Sequence, residues 1–504
     1  MRPNIMKFSF TIIIFVCWST LLTANDVEIS LEFPNYMNEF GHQCKDDISL
    51  NFSNSMITFI GQNFISNPLI TCLNLMGTHI NSIQWGAFNK LPNLTQLFIS
   101  NNNIELDQLF TFGSHENLTV LILNSATNTQ HSYHQSNTRI VDISEEYPNL
   151  EILSLRTNNI EGLQISTEKT PFPKLKILDL SSNNIKATNF TELLPNSLYF
   201  LDLHDNSLTS FTFDKTQVNF LRLNLDNNNL KHVKKYDYSR DSSDSYNPHN
   251  QYNRHNYRHR GFDYMDYDPY NQYNSENPQY FGLIMAGLEN LHYLSISGNN
   301  IDFIESNAFE NTTKLVYLNL STNNISYLHP KIFEKLQSLR SLDLSLNKLE
   351  DVPQISSETI TTLSLNCNNI KSLISKAFLQ MPKLTKLLLG GNQIVEINVK
   401  AFARPSLLEI LDLSRNKFSF LSEGWSESFT SLKYLNLNDN QFTSLESLSL
   451  TSALPLMEVY LAMNPLEYLD VNYFKSLPQN LTVNLVQGSN FAKLDWNFNK
   501  CKSK

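Results

Sequence analysis

One repeating pattern constrains this chain more than any other feature. Eleven positions, L-x-x-L-x-L-x-x-N-x-L, recur in fifteen units, as in "LEILSLRTNNI" from Leu150, "LVYLNLSTNNI" from Leu315 and "LKYLNLNDNQF" from Leu432. The units start at Ile70, Leu94, Leu118, Leu150, Leu175, Leu198, Phe220, Leu291, Leu315, Leu339, Ile360, Leu384, Leu408, Leu432 and Leu456. Most lie 24 residues apart, and steps of 32 after Leu118 and 71 after Phe220 mark insertions. A fixed period of this length means stacked supersecondary units.

The spacing dictates what each unit can be. Its L-x-L centre is a short strand, and strands of successive units pair in parallel about 4.8 Å apart. The apolar residues at positions 1, 4, 6 and 11 then point inward. Asn at position 9 (Asn158, Asn183, Asn323, Asn392) can satisfy main-chain groups at the turn with its carboxamide. Phe88, Phe309, Phe333, Phe378 and Phe402 fall later in their units and are expected to stack as a spine on the convex side. No unit buries its apolar face alone, so stability is shared between neighbours.

This pattern is that of the leucine-rich-repeat family. The long units with a Phe spine resemble Toll-like receptor ectodomains and secreted insect leucine-rich-repeat proteins, over about residues 45 to 490. The resemblance implies an α/β solenoid, a horseshoe with a parallel concave sheet and an irregular convex side. It implies a ligand that is a protein or a microbial surface molecule. The chain departs from the receptors in having no C-terminal cysteine-rich flank, transmembrane helix or cytoplasmic signalling domain.

The expected organisation is a signal peptide over 1–24, an N-terminal cap over 25–69 and repeats 1–7 over 70–230. A Tyr/Asn-rich insertion follows over 231–285, then repeats 8–15 over 286–466, and a degenerate last repeat with a tail over 467–504. Arg2 and Lys7 precede the apolar run "FSFTIIIFVCWSTLL", and "LTA" ending at Ala24 is the expected cleavage site. That run is short for a bilayer span, and no later stretch is longer and as apolar, so the expected protein is secreted and extracellular. A net charge of −10 disfavours binding to a nucleic-acid backbone, which needs clustered Lys and Arg.

Five cysteines are present, and Cys17 leaves with the signal peptide. Cys44 and Cys72 both fall at the N-terminal cap and are expected to pair. Cys367 and Cys501 lie about five turns apart, roughly 24 Å at the strand spacing, too far for a disulfide within one chain. Cys501 is then a candidate for an intermolecular disulfide, giving a homo- or hetero-oligomer. Eight N-x-S/T sequons mark candidate glycosylation sites: Asn51, Asn93, Asn117, Asn189, Asn311, Asn319, Asn324 and Asn480. Asn319 sits at position 5, so a glycan there would block part of the inner face.

The inner face consists of the x positions of x-L-x. Val120, Ile152, Ile177, Phe200, Arg222, Tyr293 and Tyr317 follow one another at position 3, with Phe98 and Ile122 at position 5. These are expected to form an exposed, mostly apolar ligand-binding surface. Asp179, Asp202, Asp343 and Asp412 at position 5 are read as solvated polar positions. The insertion, with "NRHNYRHRGFDYMDYDPYNQYN" at its centre, cannot offset its own ordering entropy and is read as a disordered loop beside the Phe200–Tyr317 stretch. A plain spacer is one reading. Arg258 and Arg260 in "RHR" are candidates for proteolytic processing, and Tyr264 and Tyr267 for sulfation. His255 and His259 would bind metal only on a helix, and no metal or other cofactor is expected.

No G-x-S-x-G elbow, phosphate loop or H-E-x-x-H occurs, and no catalytic residue is assigned. The chain is expected to work by binding rather than as an enzyme. The first reading is a secreted innate-immune recognition, scaffold or Toll-like decoy protein, and the second an extracellular adhesion or matrix component.

Overall fold

The computed structural model describes residues 44, 48–62, 64–128, 139–167, 170–213, 220–236, 282–403, 407–468, 470, 472–478 and 481–486. All belong to one compact unit, Cys44–Lys504. Its front is a sheet of 17 parallel strands. Fifteen of them occupy positions 3 to 5 of the fifteen repeat units, from Cys72–Asn74 to Glu458–Tyr460. Ser49–Asn51, in the expected N-terminal cap, precedes them, and Thr482–Asn484 follows them in the expected degenerate repeat.

Strands pair without slippage, as in Tyr293↔Tyr317↔Ser341 and Leu294↔Leu318↔Leu342. Register is forced because slipping by one residue would turn every core leucine to the outside. The opposite side of the solenoid carries short parallel sheets, such as Phe59–Ile60 with Ser82–Ile83 and Ser372–Leu373 with Glu396–Ile397. Only 3-10 turns accompany them among the described residues, so the irregular side expected from the sequence contains no α-helix there.

Each strand ends in one recurring turn. Position 8 adopts the left-handed region in unit after unit: Asn101, Ser125, Thr157, Ser182, Thr322, Cys367 and Arg415 have φ between 49° and 58°. Gly298 and Gly391 supply the same conformation at φ 66° and 71° without a Cβ. Non-glycine residues there are destabilised by roughly 1 kcal/mol each, and the next residue offsets this. Asn323 Nδ2 donates to the Ile296 carbonyl of the preceding coil (2.9 Å) and to Leu320 O of its own (3.1 Å), while Oδ1 accepts from Ile301 N (3.0 Å). Asn158, Asn183 and Asn392 repeat the arrangement, as position 9 requires.

The core runs unbroken from Ile60 to Leu477. The Phe spine forms within it: Phe309 and Phe333 lie 6.3 Å apart, and Phe378 and Phe402 5.5 Å apart and 5° from parallel. Cys44 and Cys72 are joined by a disulfide across a Cα separation of 5.8 Å. Cys367 is disulfide-bonded too, where the spacing argument from the sequence left it without a partner in the chain.

Both ends of the insertion are built into the solenoid. His232–Lys234 pairs with Gly282–Ile284 on one side and Phe303–Ile304 on the other, and Leu283 bridges to Phe211. The chain therefore leaves after one back strand and returns one place earlier, between Phe211 and His232–Lys234. Met285 N and Ala286 N bond to Lys234 O and Lys235 O at 2.9 and 3.0 Å, which ties the neck. Lys235 Nζ adds an ion pair with Glu310 at 2.6 Å. The described ends of the insertion thus join back strands of the solenoid, and residues 237–281 lie outside the described residues.

Candidate ligand-binding face

The position-3 column is continuous but does not lie open as expected. Phe98, Ile122, Ile152, Ile177, Phe200 and Tyr293 are buried, while Val120, Arg222 and Tyr317 are half-buried. In-register neighbours such as Ile152, Ile177 and Phe200 stand on adjacent strands, close enough at about 4.8 Å to cover one another. An argument from exposed apolar area therefore fails for six of these nine positions.

The aspartates at position 5 also depart from expectation. Asp179, Asp202 and Asp412 are buried, and Asp343 is half-buried. Their carboxylates fold back onto the turn: Asp179 accepts from Ser181 N (2.9 Å), Asp202 from His204 N (3.1 Å), Asp343 from Ser345 N (2.9 Å) and Asp412 from Ser414 N (2.9 Å). Asn224, Asn319 and Asn436 do the same with a neutral oxygen. The "LDL" and "LNL" strings thus encode a turn cap, because a short Asx side chain reaches the main-chain N–H two residues on.

The chemically distinct stretch is centred on Tyr293 and Tyr317. Their rings are 4.3 Å apart and 6° from parallel. Beside them Asp226 accepts from Ser295 Oγ and from Ser297 N, both at 2.6 Å. Ser297 Oγ lies 2.8 Å from Ser321 Oγ, and Asn319 Nδ2 donates to Ser295 Oγ at 3.0 Å. Burial pushes the Asp226 carboxyl up to about 6 against these hydrogen bonds. Burial and then the charge of Asp343 push the Tyr317 hydroxyl up to about 12, and burial raises Tyr293 further.

One row earlier, His204 Nδ1 is 2.7 Å from Asp202 and Nε2 is 3.6 Å from Asp205. Burial alone would lower the imidazole pKa, but its bond to Asp202 and the surrounding carboxylates raise it. Asp179 is shifted upward by burial and by the charge of Asp202. Asp226 and His204 were not singled out by sequence, although both sit at position 7, one residue before the left-handed turn. Asp412 was read only as a solvated position, and the polar residues around it were missed: Tyr460 donates to Glu458 at 2.5 Å, Asp412 is pushed up to about 6 by burial, and Asn436 Nδ2 is buried without a partner. Reading positions 3 and 5 through the last repeats would have found them.

Among the sequons, Asn51, Asn93, Asn117, Asn189 and Asn311 are exposed, and Asn319 and Asn324 are half-buried. Asn480, Cys501, Arg258, Arg260, Tyr264, Tyr267, His255, His259 and the signal segment lie outside the described residues. Among the described residues no His/Cys/Asp/Glu group has the arrangement of a metal site, and no helix is long and apolar enough to cross a membrane.

A parallel solenoid with a side-chain array on its front sheet defines a repeat protein of the interaction-scaffold class. Models of the leucine rich repeat match residues 289–349, 382–442 and 173–188, and the BspA type leucine rich repeat region matches 29–153. The chain belongs to the leucine-rich-repeat family. Among solved structures, a leucine-rich-repeat protein of Leptospira interrogans is 20% identical with a TM-score of 0.51, covering 83% of this chain and 96% of that one. YopM from Yersinia enterocolitica is 21% identical (TM-score 0.42; 83% and 79% covered). A TLR13–single-stranded RNA complex is 18% identical (TM-score 0.43; 87% and 67% covered). No curated protein matches the chain.

Proposed function

We propose that this is an extracellular recognition protein of innate-immune type that holds a protein or microbial-surface ligand on its front sheet. Its role is that of a soluble receptor, a scaffold or a competitor for another receptor's ligand. The observation that carries the reading is the parallel Tyr293–Tyr317 pair, set among Asp226, Ser297, Ser321 and Asn319 on the front sheet. Tyrosine joins apolar contact area to a polar tip, which is why it is enriched where proteins meet. The Cys44–Cys72 disulfide supports an oxidising compartment.

Affinity capture from extracellular fluid tests this, with the wild-type chain and two variants. A ligand retained by wild type and by Tyr327→Ser, whose side chain is 67% exposed outside the front-sheet strands, but lost by Tyr317→Ser supports the reading. Retention by all three, or incorporation of the protein into matrix without a captured ligand, contradicts it.

A further inference from the structure

A groove of about 550 Å³ runs along the flank of the first repeats, beside the front sheet. Thr71, Thr95 and Thr119 line it at position 2, and Asn93, Asn117 and Asn149 at the residue before position 1. Successive coils thus present alternating carboxamides and hydroxyls at the strand spacing of about 4.8 Å. Asn93 Nδ2 donates to Pro68 O at 2.8 Å and Asn117 Nδ2 to Pro92 O at 2.7 Å. Thr95 Oγ1 donates to Thr71 O and Thr119 Oγ1 to Thr95 O, both at 3.0 Å. Thr71 Oγ1 is buried and has no partner. Charge enters only at the far end, with Glu151 and Lys174.

Neutral donors and acceptors repeating along a groove suit the hydroxyl and acetamido groups of N-acetylhexosamines better than a charged or apolar ligand. Two of the lining asparagines are themselves attachment points, since Asn93-Leu94-Thr95 and Asn117-Leu118-Thr119 are sequons. Among the fifteen repeats, these are the two in which an Asn before position 1 coincides with a Thr at position 2.

We propose that the groove is the bed of this chain's own N-linked glycans, joined at Asn93 and Asn117, with their first sugar residues lying along the Thr/Asn rungs. The inference rests on the extracellular reading above. In the transfer, the bond from Nδ2 to sugar C1 forms as the C1–O bond to a lipid-linked diphosphate donor breaks, and Nδ2 loses one proton. The remaining N–H can still donate to Pro68 O or Pro92 O, which fixes the direction in which the sugar leaves. The bedded glycan closes this flank to protein partners and leaves the Tyr293–Tyr317 stretch for the ligand. Asn319 is the counterexample. Its side chain is half-buried on the front sheet, whereas Asn93 and Asn117 are exposed, and its Oδ1 accepts from Ser321 N while its Nδ2 donates to Ser295 Oγ, both at 3.0 Å, so it stays bare.

The test is glycopeptide mapping of the full chain from a eukaryotic secretory host, followed by timed digestion with a peptide N-glycosidase. Glycan at Asn93 and Asn117 should be released several-fold more slowly than at Asn311 from native protein, and at equal rates after denaturation. Asn319 should be unmodified. A secreted chain bare at Asn93 and Asn117, or native release there as fast as at Asn311, overturns the bedded glycan while leaving the extracellular reading intact. A chain that never enters the secretory pathway overturns both.

Discussion

The rings of Tyr293 and Tyr317 stack 4.3 Å apart on adjacent strands of the front sheet, 6° from parallel. Such a pair contributes beyond its buried area by about 0.5–1.5 kcal/mol. Tyr317→Ala should therefore destabilise the chain by about 1–3 kcal/mol, and Tyr317→Phe by less than about 1 kcal/mol, in urea unfolding. Equal losses would mean that the hydroxyl, not the stack, holds the pair.

Asn323 links two coils through main-chain groups at Ile296, Leu320 and Ile301. Asn323→Ala leaves buried donors and acceptors unpaired and should cost about 2–4 kcal/mol. Asn300→Ala changes an exposed side chain in the preceding turn and should shift stability by less than about 0.5 kcal/mol. Denaturant midpoints of the two variants check the contrast.

Mild acid should stabilise the protein. Asp226 and Asp412 have their carboxyls raised from 3.8 to about 6 by burial, so the native state binds protons there that the unfolded chain does not. Stability from these groups rises as pH falls from about 7 towards 4, each by at most about 3 kcal/mol. His204, also raised, adds stability below its unfolded value of 6.5 that is lost as pH climbs through its folded value. Tm should be higher at about pH 5 than at about pH 7.5, and Asp226→Asn should reduce the difference.

The Cys44–Cys72 disulfide spans a sequence separation of 28 residues. Its removal by Cys72→Ser should lower stability by about 3–4 kcal/mol. Hydrogen exchange should show the loss concentrated in the first coils, because each repeat leans only on its neighbours.

A cut between residues 236 and 282 should not separate the two halves. Gly282–Ile284, from the second half, pairs with His232–Lys234 and bridges to Phe211 of the first, and Arg222–Asn224 pairs with Tyr293–Ser295 in front. A protease site engineered there should give two bands on a denaturing gel and one peak in gel filtration. Two peaks would contradict the interleaving.

The repeats were legible because they are enforced locally. Leucine spacing placed all fifteen repeat strands, and Asn at position 9 gave the hydrogen bonds that bind coil to coil. The face was less legible. Alternation along a strand says which way a side chain such as Phe200 or Ile177 points, but not whether its neighbours on adjacent strands cover it. The position-5 aspartates misled for a related reason: nothing in "LDL" reveals that Asp179 turns back to Ser181 N. Asp226 stayed hidden because its contact crosses coils, to Ser295 69 residues away, and His204 because nothing in the string "LDLHDN" shows that its ring folds between Asp202 and Asp205.

The most direct measurement is tyrosine-directed covalent footprinting of the purified chain, with and without its captured extracellular ligand. The account predicts protection of Tyr317 on the front sheet and none at Tyr327 outside its strands. Protection at Tyr327 alone, or unchanged labelling of Tyr317 in the complex, would contradict the placement of the ligand on that sheet.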